Sequence, residues 1–538
     1  MNAEQEAWIV QAMSEPSFYD HPVGEVELIE THISWVFLAG DFAYKVKKPV
    51  NFGFLDFSTL SKRRHYCQEE LRLNRRFAPE IYLEVKQIGG SLDAPAMDKQ
   101  PALEYAVKMR RFPQNCQLDR MLAANQLHAW HIIAFATKIA ELHQLALSAD
   151  AGKSYGDPGS VIIPLLENFK QIRPLFRGSG AGVRGSDAGV RESDASEQLA
   201  KLEQWTRKSF ENLKPALQQR KAKGFIRECH GDVHLANMAW VDDQPLLFDC
   251  IEFTENLRWI DVISDIAFLV MDLDDREQAT LGWSFLNRYL QETGDYQGLA
   301  LLNFYKVYRA MVRAKVISLR LAQGHLNETQ RSRAEKLFQS YLALAEHYTL
   351  SQATPLIITH GFSGSGKTTF TAQLATVHGG IHIRSDIERK RLHGFAATDE
   401  SESPIDGGLY SAQAFADTYS RLRDIAGMVL RSGSPAIVDA TFIRQPQREL
   451  FSKLAEELHV PLIILDFPLA EEGLRRRIEQ RVRGATKDAS EATLEVLDYQ
   501  LEHEEPLTTT EKQLAIRVHP NTTAEAVTAS LSLPLDHR

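Results

Sequence analysis

Residues 354–374 read Thr354-Pro-Leu-Ile-Ile-Thr-His360-Gly361-Phe-Ser363-Gly364-Ser365-Gly366-Lys367-Thr368-Thr369-Phe-Thr-Ala-Gln-Leu374. A short apolar run leads into a glycine-rich loop and then into a stretch of helical composition. From Gly361 to Thr368 the loop satisfies G-x-x-x-x-G-K-[ST]. Polyphosphate binding needs this arrangement: glycines let successive N–H groups converge on phosphate oxygens, and the N-terminus of the following helix adds its positive end. Lys367 is then placed to reach the β- and γ-phosphates and the Thr368 hydroxyl to bind magnesium. The expected nucleotide-gripping set is Gly361, Ser363, Gly364, Ser365, Gly366, Lys367, Thr368 and Thr369.

Outward from this loop, four further apolar runs end in polar residues: Gly380–Arg384, Pro435–Val438, Pro461–Leu465 and Leu514–Val518. With Pro355–Thr359 they predict five strands separated by helices, a parallel sheet covered on both faces. Asp439, at the end of one run, is the chosen magnesium carboxylate, although Asp466 ends the next run in the same way. Asp386 follows the second strand at the carboxyl edge, where open α/β sheets bind ligands, and there it could meet an acceptor hydroxyl. Arg475, Arg476, Arg477, Arg481 and Arg483 lie in one helical run. Arg477 and Arg481 share a face at i, i+4, and Arg481 is the chosen lid arginine for charge on a transferring phosphoryl group. Residues 354–530 thus resemble small P-loop kinases such as gluconate kinase, chloramphenicol phosphotransferase, zeta toxins and the kinase part of polynucleotide kinases. The resemblance implies ATP, Mg2+ and a P-loop NTPase fold.

The first half carries Cys229-His-Gly-Asp232-Val-His-Leu-Ala-Asn237 and, a dozen residues later, Leu-Leu-Phe-Asp249. Phosphoryl transfer needs one carboxylate at the acceptor hydroxyl, and an amide oxygen with a second carboxylate to gather metal against the triphosphate. H-G-D-x-H-x-x-N resembles the motif of aminoglycoside phosphotransferases and of choline and fructosamine kinases, the small-molecule branch of the kinase-like fold. The resemblance covers residues 25–350. It implies Asp232 as catalytic base, Asn237 and Asp249 as magnesium ligands, and Lys45 as the ATP contact paired with a helix glutamate.

Upstream, Val26–Val46 reads as a hairpin turning at Gly40-Asp41, and Ser61–Phe77 as a helix capped by Ser58 or Thr59. Lys47 shares a strand face with Lys45. Lys45 is preferred because Ala43-Tyr-Lys45 resembles the A-x-K of kinases, and Glu70 is preferred to Glu69 as its partner. No G-x-G-x-x-G precedes Lys45. His230 and His234 are expected to orient the loop, and Asp261 and Asp265 to cap or anchor it. Segments 122–147, 197–219 and 301–350 read as amphipathic helices.

The expected organisation is an N-lobe over 1–113, a helical C-lobe over 114–350 and a P-loop kinase domain over 354–530, with residues 340–353 joining the halves. The fold class is therefore α/β and α+β: a bilobal protein-kinase-like domain followed by a P-loop NTPase domain. Within the C-lobe, Gly182-Val-Arg-Gly-Ser-Asp-Ala188 recurs as Gly189-Val-Arg-Glu-Ser-Asp-Ala195, so 178–196 is read as a flexible insert.

The chain has 538 residues, room for two to four domains at about 150 residues each. Lys+Arg 61 against Asp+Glu 71 leaves a net charge of −10, which argues against coating nucleic acid or an acidic membrane. Four cysteines without C-x-x-C spacing, an acidic start and no long apolar run point to a cytoplasmic protein. The whole layout resembles bacterial fusions of an aminoglycoside-phosphotransferase-like domain to a P-loop kinase. That resemblance implies no particular substrate. The first reading of the two motifs together is an enzyme with two ATP/Mg2+ sites, each serving hydroxyls of small-molecule or nucleotide-like acceptors, with no partner protein indicated. One half could instead bind ATP only to regulate the other, or the P-loop half could act on nucleic-acid 5′-hydroxyls.

Overall fold

The computed structural model describes residues 3–53, 55–176, 192–322, 326–350, 354–397, 399, 412–483 and 492–531. They form two compact units, Met1–Glu167 with Lys214–Asp272, and Asn168–Leu213 with Leu273–Arg538.

The first unit holds an antiparallel sheet of β1 (Val26–Glu30), β2 (Ser34–Ala39), β3 (Phe42–Lys47), β4 (Tyr82–Ser91), β5 (Ala94–Met97) and β6 (Ala102–Arg110), in the order β1-β2-β3-β6-β4-β5. The expected hairpin is therefore three strands: Val26–Ala39 breaks at Thr31, whose N–H and hydroxyl both donate to the Ser34 carbonyl at 2.9 and 3.1 Å. The β2–β3 turn falls at Gly40, with φ +57°, where a Cβ would lie 2.8 Å from the Pro22 carbonyl oxygen. One sheet face packs Trp35, Phe37, Tyr44 and Val46 against Ile9 and Met13 of the helix Ala3–Met13. The other packs Tyr105 and Val107 against Cys67 of the helix Leu60–Asn74, whose N-cap is Thr59.

Beyond β6 come β7 (Ile226–Glu228), a hairpin of β8 (Met238–Val241) and β9 (Gln244–Leu247), and β10 (Trp259–Asp261), which pairs with β7. Residues 177–191 of the expected insert lie outside the described residues. Residues 192–196 begin the helix Glu192–Ala222 rather than a loop, because Ala195, Leu199 and Leu202 recur at helical spacing and are buried.

The second unit contains β11 (Leu356–His360), β12 (Ile381–Arg384), β13 (Ala436–Asp439), β14 (Leu462–Asp466) and β15 (Ala515–Arg517), all parallel, in the order β12-β13-β11-β14-β15. This is the five-stranded sheet read from the apolar runs. Its centre is buried on both faces, as the continuous burial of Leu356–His360 shows.

The same unit contains helices Ala279–Thr293, Leu299–Ala322 and Glu328–His347. The single helix expected over 301–350 is thus two, the second started by Asn327, which accepts from the Gln330 N–H at 2.9 Å. Residues 340–347, expected to join the halves, finish that helix and bury Tyr341, Leu342 and Ala345. No described helix is long and apolar enough to cross a membrane.

Candidate active sites

In the first unit the loop after β7 is pinned from below. The Asp265 carboxylate accepts the N–H groups of His230 at 3.1 Å and Gly231 at 2.8 Å, and lies 3.1 Å from His143 Nε2. Gly231 has φ +87°, and a Cβ there would lie 2.6 Å from the Leu257 carbonyl oxygen. Asp272 accepts from the Leu235 N–H at 3.0 Å. Asp261 pairs instead with Arg220 at 2.6 Å and caps the Ile263 N–H. His230 bonds through Nε2 to the Phe248 carbonyl at 3.0 Å, and burial lowers its pKa against the pull of Asp265 and Asp232. Both histidines of the motif therefore face the loop: His234 Nε2 lies 3.4 Å from Asp232 Oδ2.

So held, Asn237 Nδ2 donates to the Asp232 carboxylate at 2.9 Å and to its carbonyl at 3.0 Å. The segment carrying Asp249 is tied to this loop by backbone bonds from Phe248 to Asn237 and from Ile251 to His230, both 3.1 Å. Asp249 has φ +64° and donates its N–H to the Tyr82 hydroxyl at 3.1 Å. Lys45 of β3 reaches across to Asp249 and lies 2.9 Å from Glu70. Burial opposes its charge, but Asp249 and Glu70 outweigh burial and hold its pKa well above the ordinary value. Glu69 turns elsewhere, to Arg72 at 2.9 Å and Arg258 at 3.5 Å. The structure thus brings together Lys45, Glu70 and Asp249, and separately Asp232 and Asn237, on two linked segments.

In the second unit a cavity of about 530 Å³ is lined by Ser363–Thr369, Asp386, Arg389, Asp439, Arg477 and Arg481. Gly364 and Gly366 have φ +83° and +97°, conformations that let the loop curl before the helix Lys367–Leu374. Lys367 donates to the Phe362 carbonyl at 2.7 Å. Burial lowers its pKa to about 8, with Asp439 and Asp386 opposing and Arg481 adding to the fall. Asp439 hydrogen-bonds the Thr368 hydroxyl, and its carboxyl is held below the ordinary range: burial resists, but His382, Lys367 and Thr368 prevail. Gly361 lies at the base of the loop, its N–H on the Thr441 carbonyl, outside this cavity. Asp466, the alternative carboxylate, pairs with His360 at 2.8 Å and lines a separate groove.

Arg477 donates to the Ser365 carbonyl at 3.1 Å, and Arg481 to the Ala492 carbonyl at 2.5 Å. Asp386 pairs with Arg389 at 2.8 Å. Three site residues were not legible as such. His382 points its ring at Thr371 Oγ1, 3.0 Å away, and at Asp439, 3.4 Å away. Gln500 accepts from the Ser363 N–H at 2.9 Å and donates to its hydroxyl at 3.0 Å. Arg389 completes the pair with Asp386. Only His382 left a signal, a histidine at a buried position inside the apolar run Ile381–Ile383.

Both carboxylate–oxygen pairs suit magnesium, which takes a few hard oxygen ligands and retains water. Asp249 with Asn237 would hold it in the first unit, and Asp439 with Thr368 in the second.

Comparison with known proteins finds two families in sequence, the first over a range that draws on both compact units and the second within the second unit alone. Residues 114–302 match the phosphotransferase enzyme family, and residues 356–507 match an AAA domain. Uncharacterized proteins of Mycobacterium bovis and Mycobacterium tuberculosis are 29% identical over 479 residues, 88% of this chain and 90% of theirs. Among solved structures, an amicoumacin kinase in complex with AMP-PNP, Ca2+ and Ami is 12% identical, covers 64% of this chain and 94% of its own, and has a TM-score of 0.38. A gluconokinase from Sinorhizobium meliloti is 18% identical, covers 35% of this chain and 94% of its own, and has a TM-score of 0.24. The chain is a two-domain fusion of a phosphotransferase-enzyme-family domain and a P-loop kinase domain.

Proposed function

We propose that this chain is an ATP-dependent phosphotransferase with two ATP/Mg2+ sites, each passing the γ-phosphoryl group to a hydroxyl of a small-molecule or nucleotide-like acceptor. The reading is carried by one observation: a single cavity gathers Lys367, Asp386, Asp439, Arg477 and Arg481. Those groups are the kinds needed to grip a triphosphate, activate a hydroxyl and neutralise charge in transfer. The paired Lys45–Glu70 and Asp232–Asn237 support the same reading for the first unit.

In the first site Asp232 accepts the acceptor's hydroxyl proton as the acceptor oxygen bonds to the γ-phosphorus and the bond to the β-phosphate oxygen breaks, releasing ADP. Lys45, held by Glu70, offers N–H donors to phosphate oxygens, and Asn237 keeps the Asp232 carboxylate oriented. In the second site Asp386 takes the proton, the loop N–H groups and Lys367 hold the β- and γ-phosphates, and Arg481 faces the charge that develops in transfer. Magnesium, bound by the oxygen pairs named above, would neutralise phosphate charge. Full-length protein incubated with a metabolite extract and γ-labelled ATP tests the reading. Lys367→Ala and Asp232→Asn should each delete a different subset of labelled products. Unchanged products in both variants would sink it.

A further inference from the structure

Five ionisable side chains in the first unit form a ladder that runs from the open site into the core. Asp249 contacts Lys45; Lys45 lies 2.9 Å from Glu70 Oε1; Lys47 donates to Glu70 Oε2 at 2.6 Å; and Lys47 also contacts Glu252. Side-chain exposure falls from 46% at Asp249 to 12% at Lys45, then to 0%, 1% and 4% at Glu70, Lys47 and Glu252. Only the Asp249–Lys45 end can meet a nucleotide. Lys47 sits beneath it, with the Phe57 ring 4.8 Å from its ammonium.

A buried ion pair is poor evidence of stability, since apolar residues of similar volume often serve the fold as well or better. The Lys47–Glu252 pair therefore calls for another role, and its geometry supplies one. Strand β3 brings Lys45 and Lys47, the helix Leu60–Asn74 brings Glu70, and the segment after β9 brings Asp249 and Glu252. Asn74 adds a bond from the same helix to the Cys250 N–H at 2.9 Å. With Oε2 taken by Lys47, Glu70 has one oxygen left for Lys45. An ammonium has three donors, so Lys45 keeps the remainder for Asp249 and an incoming phosphate. Without Lys47, both Glu70 oxygens would compete for Lys45 and draw it inward.

We propose that Lys47 and Glu252 are positioning residues for Lys45, acting through Glu70. The proposal rests on reading the first unit as an ATP site.

The test measures Mg·ATP binding by calorimetry on the full chain carrying Lys367→Ala, so that the second site is silent. Lys47→Met should weaken binding by about tenfold or more, a readily resolved difference. In a Glu70→Gln background the same change should cost less than about threefold, because linked residues are non-additive. The uncharged pair Lys47→Met/Glu252→Met guards against misfolding. It should melt like its parent and still bind about tenfold more weakly. Parent-like affinity in that double variant, or an equal loss with and without Glu70, would overturn the proposal. No binding by the Lys367→Ala parent would overturn the ATP-site reading itself, and the proposal with it.

Discussion

Asn287 holds the edge strand of the parallel sheet through the backbone of His382: its Oδ1 accepts the His382 N–H at 2.7 Å, while its Nδ2 donates to the Gly380 carbonyl at 2.8 Å. Strand β12 is a sheet edge, so these backbone groups would otherwise lack a ladder partner. The His382 ring in turn faces Asp439. A helix far upstream in sequence therefore closes the P-loop sheet one residue contact away from its candidate magnesium carboxylate. Trp283 of the same helix covers Gly379, where an added Cβ would lie 2.7 Å from the indole nitrogen.

Asn287→Ala would strand one buried donor and one buried acceptor, at about 1–3 kcal/mol each. The expected outcome is a loss of about 2–6 kcal/mol in the second unit and a raised magnesium requirement at the P-loop site. Denaturant unfolding of the full chain and magnesium titration of its ATP turnover check both. A melt and a magnesium optimum like the parent's would show that the contact carries neither. For the same reason a fragment beginning at residue 354 should be less stable than the P-loop domain in the full chain.

Lys367 gives a pH prediction. In the free site its pKa is about 8 because burial disfavours the ammonium, and bound polyphosphate would raise it by pairing with the charge. Binding then takes up a proton above pH 8, so affinity should fall as pH rises through 8, by up to about tenfold per unit. Calorimetry from pH 7.5 to 9.5 (about two units), in two buffers of different ionisation enthalpy, reads both the slope and the proton uptake. Lys367→Ala, which silences this site, should lose the binding step that carries the slope. A parent slope of zero would mean that the lysine keeps its charge in the free site.

The two sheets were legible in the sequence to different depths. Each apolar run of the parallel sheet is a strand bounded by turn residues, buried except at the edge strand β15, and all five were found with ends shifted by at most one position. The antiparallel strands alternate instead, so the short bend at Thr31–Ile33 was invisible between two strands of like pattern. Pairing of Lys45 with Glu70 rather than Glu69 depends on which side of a helix faces the sheet. Adjacent residues lie about 100° apart there, so the choice rested on helical phase. Asn287 and Gln500 left no trace, because an isolated amide in a helix has no motif and its partners lie 93 and 137 residues away. The separation of Asp439 from Asp466 likewise needed the strand order, which places β13 beside β12 and β14 on the far side of β11.

In the first unit, Asp232→Asn and Asp249→Asn should separate transfer from binding. Asp232 is tied to Asn237 and has no contact with Lys45 among the bonds described, so its loss should spare Mg·ATP affinity within about threefold while lowering transfer by about 10² or more. Asp249 touches Lys45 and is a candidate metal ligand, so its loss should weaken Mg·ATP binding itself. The reverse ranking by calorimetry and single-turnover transfer would contradict these roles.

Arg477 and Arg481 lie one helical turn apart and line the same cavity, yet their bonds differ. Arg477 donates to the Ser365 carbonyl within the phosphate loop, whereas Arg481 donates to Ala492, outside it. Arg477→Ala should therefore loosen the loop and weaken ATP binding before any chemistry occurs. Arg481→Ala should leave ATP affinity within about threefold and lower the rate of transfer, because an interaction with charge that develops only in the transition state contributes to kcat and hardly to ground-state binding. Arginines acting in this way contribute roughly 10³–10⁵ in rate, so a small share of that effect is measurable. Stopped-flow nucleotide binding and single-turnover transfer, run on both variants in the full chain, separate the two effects. A loss of ATP affinity in Arg481→Ala equal to that in Arg477→Ala would assign both arginines to the loop and leave the developing charge to Lys367 and the loop N–H groups.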